Sequence, residues 1–90
     1  VLAFLLKDYQ EDKDGAEAST CAAMENILLA AWEKGIGSCW LTAPKRMGFG
    51  PALQARFAPG KGEFVGAITL GYPDQSPAAP RRREGRYEIL

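Results

Sequence analysis

Cys21, Met24, Ile27, Leu28, Ala31 and Trp32 recur at spacings of three and four residues, a periodicity that commits Asp14–Trp32 to one long helix. Glu17, Glu25, Glu33 and Lys34 fall mainly between them, and the many alanines from Ala16 to Ala31 favour helix and permit close approach of a neighbour. Asp14-Gly-Ala-Glu17 supplies an N-terminal signal, a carboxylate at the cap with Glu three residues on. Gly35 supplies the stop, because glycine takes the left-handed conformation that closes a helix.

The helix needs something to lie on, and the flanking segments read as strands. Val1–Leu6 is an apolar run short enough for a buried strand, followed by a charged loop over Asp8–Asp14. Ser38–Thr42 is a second strand, reached through Gly35-Ile-Gly37 and ended by Pro44. Pro51–Phe57 is a short helix with proline in its first turn, and Phe64–Leu70 is the clearest strand, bounded by Gly62 and Gly71-Tyr-Pro73. Three of the six prolines lie in Pro73–Pro80, which predicts an extended surface arm, and Arg86–Leu90 resumes a strand-like alternation. Strand, helix, strand, short helix, strand gives an α+β fold with one long helix over a sheet. Such a sheet has a bare second face and calls for another copy or another polypeptide.

A chain of 90 residues makes one domain and buries only about 60–65% of its unfolded surface, so stability is expected to depend on a partner. With 47% hydrophobic and 24% charged residues the chain is a folded protein, not a disordered one. No apolar run approaches the ~18 residues of a membrane span, and Val1–Leu6 lacks the length and basic flank of a signal peptide. The expected location is cytoplasmic. Net charge is zero but uneven: residues 1–33 carry seven acids against Lys7 and Lys13, the remainder nine bases against four acids. The basic half suits an anionic ligand.

There is no histidine, which excludes Ser/His/Asp and Cys/His catalysis. Cys21 and Cys39 form no C-x-x-C pair, so no metal site is expected and both are read as free thiols, Cys21 inside the helix and Cys39 in a buried strand. Gly35-Ile-Gly37 follows a helix and lacks the third glycine of a dinucleotide fingerprint, and no phosphate-binding P-loop occurs. No catalytic residue is therefore assigned. An enzyme built here needs a cofactor for its chemistry. Pro80-Arg-Arg-Arg83 with Arg86 is either a solvated basic tail or an anion site. Nucleic acid is not expected, since no aromatic interleaves Arg81–Arg83.

Asn26-Ile-Leu-Leu-Ala-Ala31 followed by Gly35-Ile-Gly-Ser-Cys-Trp40, then Leu70-Gly-Tyr-Pro73 and Arg81–Arg83, resembles the FMN-dependent nitroreductase family in order. The resemblance covers the carboxyl-terminal half of the family's usual domain. The family's amino-terminal Arg-Ser-x-Arg segment has no counterpart here. The resemblance implies a partial α/β/α layered fold: a core over residues 1–73, a long helix at a dimer interface, and an extended basic arm over 74–90 that adds its terminal strand to a partner's sheet. It implies FMN as cofactor, with Thr42 and Ala43 contacting the N5 and O4 edge of the flavin through backbone, Trp40 and Leu41 leading into them, and Arg81 and Arg83 on the phosphate. Arg82 would point away. The implied activity is transfer of electrons from NAD(P)H to a nitroaromatic or quinone-like acceptor, and the implied assembly a homodimer or a pairing with a complementary chain. The alternative is a non-catalytic half-domain of the same ancestry that oligomerises or pairs with a partner.

Overall fold

The computed structural model describes residues 1–90, the side chain of Gln10 excepted. Strand β1 (Leu2–Phe4) is followed by 3₁₀ turns over Lys7–Asp12, where a charged loop is expected, and these feed helix α1 (Lys13–Glu33). Strand β2 (Gly37–Leu41), short helices α2 (Ala43–Arg46) and α3 (Gly50–Phe57), and strand β3 (Phe64–Gly71) complete the regular structure.

The three strands form one sheet in the order β1-β3-β2, with both neighbours antiparallel to β3. β1 and β2 thus run parallel on either side of a central strand laid down last, and α1 crosses between them. The register pairs Trp40 with Ile68 and Ala3 with Gly66, which sets those four residues on one face. That face carries α1. A Cβ on Gly66 would stand 2.8 Å from Trp40 Nε1 and 3.0 Å from Met24 Cε, so glycine is what lets the helix residue and the indole meet over the strand. Met24 and Ile68 are buried with Leu5 and Val65, and Cys21, Ile27, Leu28 and Trp40 pack around them. Phe64, also buried, meets Phe4 edge to face with ring centroids 5.6 Å apart. Such pairing adds to area burial.

The cap of α1 lies two residues earlier than its sequence signal. Asp12, not Asp14, is the N-cap and accepts from the Gly15 N–H at 3.2 Å. Asp14 already lies in the first turn, and only Asp12 has the non-helical backbone from which a side chain can fold over that turn. At the other end Gly35 (φ 74°) donates to Trp32 O at 3.0 Å and Ile36 to Ala31 O at 2.9 Å, the paired bonds of a Schellman closure. Pro44, expected only to end a strand, also starts α2 as a first-turn proline.

One further expectation is corrected. Cys39 is exposed, because it lies on the sheet face opposite Trp40 and the core, beside its equally exposed cross-strand partner Thr69. Arg86–Leu90 forms no strand, and every residue from Thr69 onward is exposed. A terminal segment with no neighbour to pair with has nothing to hold it extended. The radius of gyration, 15.4 Å, exceeds the roughly 12 Å of a compact domain this long because of that tail.

Candidate functional site

β2, α2 and the tail carry the residues singled out from the sequence. Trp40 and Leu41 are half-buried at the end of β2, Thr42 is exposed, and Ala43 is half-buried at the start of α2. Trp40 faces the core beside Met24, so its indole is a packing group. What Thr42 and Ala43 offer is backbone.

The phase of the sheet's hydrogen bonds decides which backbone groups are free. Val1 and Ile68 exchange bonds, each at 2.8 Å, so the even positions of β3 are bonded to β1. Ala67, Thr69 and Gly71 therefore bond to Leu41, Cys39 and Gly37, leaving the N–H and C=O of Ser38 and Trp40 directed off the open edge of β2. Thr42 N–H continues that outward phase. Its carbonyl accepts from Arg46 N–H at 3.1 Å and that of Ala43 from Met47 N–H at 2.8 Å. Neither the Thr42 nor the Ala43 N–H has a backbone acceptor among the described residues. The corner thus presents two free N–H donors while the Thr42 and Ala43 carbonyls are both engaged, which suits an electron-rich heteroatom edge.

The basic residues lie elsewhere. Arg81, Arg82 and Arg83 line a cleft formed by the tail itself, from Pro80 to Tyr87, and make no ion pair among the described residues. A separate cleft of about 450 Å³ runs along the β2 edge from Gly37 to Cys39, across Thr69–Gly71 to Pro77. No described cleft is lined by both Thr42–Ala43 and the arginines. The chemistry of the two donor sets fits a flavin mononucleotide, guanidinium for a phosphate and N–H groups for a ring edge, but one chain does not bring them together.

Two ion pairs fix the amino-terminal half of α1: Lys13 with Glu63, and Glu17 with Lys45 of α2. The bond from Lys13 holds the Glu63 carboxyl below the ordinary range, and the Glu63 carboxylate raises Lys13. The Glu17 contact to α2 has no signature in the sequence, since 28 residues separate the partners.

The Nitroreductase family model matches residues 2–72. The chain belongs to the nitroreductase family. It is 34% identical over 88 residues to a Bacillus subtilis (strain 168) protein named "Putative NAD(P)H nitroreductase YfhC", with 91% of this chain and 44% of the relative covered. The chain therefore spans less than half the length of that relative. No solved structure matches it. Among the described residues no helix is long and apolar enough to cross a membrane, and no group of His, Cys, Asp and Glu is placed to hold a metal ion.

Proposed function

We propose that this chain works as the carboxyl-terminal half of an FMN-dependent oxidoreductase of the nitroreductase type, taking electrons from NAD(P)H and passing them to a nitroaromatic or quinone-like acceptor. Family membership supports the class, and the corner of free donors at Thr42 and Ala43 is the observation that carries the flavin reading. Bound FMN would supply the hydride and electron chemistry that no side chain here can perform. Thr42 and Ala43 would donate to the ring edge, where oriented N–H groups stabilise charge that develops on reduction. Trp40 and Leu41 would hold that corner to the core. Arg81 and Arg83 would neutralise the phosphate, the guanidinium fork matching its oxygens.

On this reading the layered α/β/α fold is completed by a second chain, as homodimer or complementary half. Residues 1–73 form the core, and 74–90 are an arm that reaches across. The separation of the arginines from Thr42 and Ala43 supports a site built between chains. So does α1, which leaves Leu29 and Trp32 exposed at 60% and 74% beside Ala18, Ala22 and Ala30, a surface fit for helix-to-helix contact. A cytoplasmic location belongs to the same reading, since NAD(P)H is drawn from that pool.

The test is the absorbance of the purified protein in the flavin bands, followed by titration with FMN and sedimentation at micromolar concentration. Flavin bound to a dimer supports the proposal. A cooperatively folded monomer with no affinity for FMN overturns it, and a flavin-free oligomer favours the non-catalytic half-domain.

A further inference from the structure

The corner at Thr42 and Ala43 packs against β3 and is tied to α1 by one side-chain ion pair, and that pair reaches the Ala43 amide through a short covalent path. α2 has only four residues and is followed by a turn at Gly48 (φ 80°), so it is too short to hold a position by itself. Its first backbone bond, Arg46 N–H to Thr42 O, grips the peptide plane that also carries the Ala43 N–H. Because that plane is rigid, orienting the Thr42 carbonyl orients the Ala43 N–H on its opposite side. Lys45, the residue before Arg46, is tied to Glu17 on α1, and no other side-chain hydrogen bond or ion pair reaches α2 among the described residues. α1 is a firm anchor, held by buried Met24 and by the Lys13–Glu63 pair.

We propose that Glu17 and Lys45 are positioning residues that aim the Ala43 N–H at the ligand, an assignment that rests on reading Thr42 and Ala43 as the ring contacts. Lys45 and Glu17 side chains are 40% and 33% exposed, so solvent screens the pair. Its effect is a bias on α2 that salt can erase.

The test is hydrogen exchange at the Arg46 and Met47 amides, which report the bonds to Thr42 and Ala43 with no flavin present. Glu17→Gln and Lys45→Met should each accelerate exchange about two- to five-fold. Lys45→Arg, and the reversed pair Glu17→Lys with Lys45→Glu, should restore it. Salt at 1 M, on the order of a 3 Å screening length, should accelerate the wild type but not Lys45→Met. Unchanged exchange in both single variants overturns the proposal. So does acceleration of equal size throughout α1 and β3, which marks general destabilisation. FMN fluorescence titration of the same proteins separates the reading beneath. If the wild type binds no FMN, the ring-contact reading fails while exchange still decides the role of the pair. If FMN binds and both variants bind it more weakly, the two stand together.

Discussion

Met24 is 1% exposed and meets Trp40 across the bare backbone of Gly66. Met24→Ala removes three heavy atoms, about 2.4 kcal/mol of transfer free energy at roughly 0.8 kcal/mol per methylene. The void left under α1 raises the cost to about 3–4 kcal/mol, inside the usual range for such truncations. Total stability for a domain this size is on the order of 5–13 kcal/mol, so the loss is large. Gly66→Ala pushes a methyl against both partners and should cost about 1–3 kcal/mol by overpacking. In the Met24→Ala background that methyl enters vacated space and retains only its clash with Trp40. The double variant should therefore be more stable than the sum of the singles by about 1 kcal/mol. Urea unfolding at fixed protein concentration, read by tryptophan fluorescence in a Trp32→Phe background and by circular dichroism, measures all three. Fixed concentration matters because any association of the chain would contribute to apparent stability. Additivity within about 0.5 kcal/mol would refute the contact between these three residues.

On the flavin reading, Arg83→Ala should weaken FMN binding by about 1.5–3 kcal/mol, and Arg82→Ala by much less. Equal effects at Arg81, Arg82 and Arg83 in fluorescence titration would return the tail to a solvated charge run. The Lys13–Glu63 pair should stabilise the fold above the unfolded-state pKa of Glu63 and lose that contribution as pH falls through its lowered folded value; on the alkaline side the contribution disappears as pH rises through the raised Lys13 value. Glu63→Gln should flatten the acid limb of the stability profile, and an unchanged limb would count against the pair. Deleting Gly85–Leu90 should reduce both dimerisation and FMN affinity, and sedimentation with flavin content unchanged would sink the crossing arm.

The long helix and β3 were legible because their signals are periodic and long: an apolar repeat from Cys21 to Trp32, and an eight-residue strand bounded by glycine. Their ends were less so. Asp12 and Asp14 satisfy the same capping rule, and only the backbone conformation chooses between them. Glu17, three residues after Asp14 and thus its expected capping partner, pairs with Lys45 instead, a contact no local rule encodes. The helix after Pro44 was hidden because proline both ends strands and begins helices, and four residues carry no readable period. The exposure of Cys39 is not legible because a five-residue strand does not tell its covered face from its bare one. The side on which α1 packs decides it, and that side is set by Trp40, Ile68 and Gly66 meeting Met24. In the candidate site Thr42 and Ala43 were reached only through family resemblance, since a backbone donor has no sequence signature. The structure adds which of their groups are free.

On the proposed reading the exposed surfaces of the chain have a common cause. The free edge of β2 has no charge and no proline in Gly37–Leu41, although an unprotected edge is what isolated domains avoid. α1 leaves Leu29 and Trp32 exposed on its outer side, among the charges of Glu25 and Glu33. Four arginines hang on an exposed tail without carboxylate partners among the described residues. Each is a cost to a chain standing alone, and each disappears on the proposed reading, in which edge, helix and tail all face another subunit. If the tail orders only when it crosses, phosphate binding and arm docking share one ordering cost, and each must then strengthen the other by the same factor. In a homodimer with two such sites, saturating FMN should therefore raise dimer affinity by the square of the gain in FMN affinity on dimerisation. Sedimentation across a flavin titration measures the first and fluorescence titration across protein concentrations the second. Failure of that relation would show that the arm and the phosphate site are not one unit.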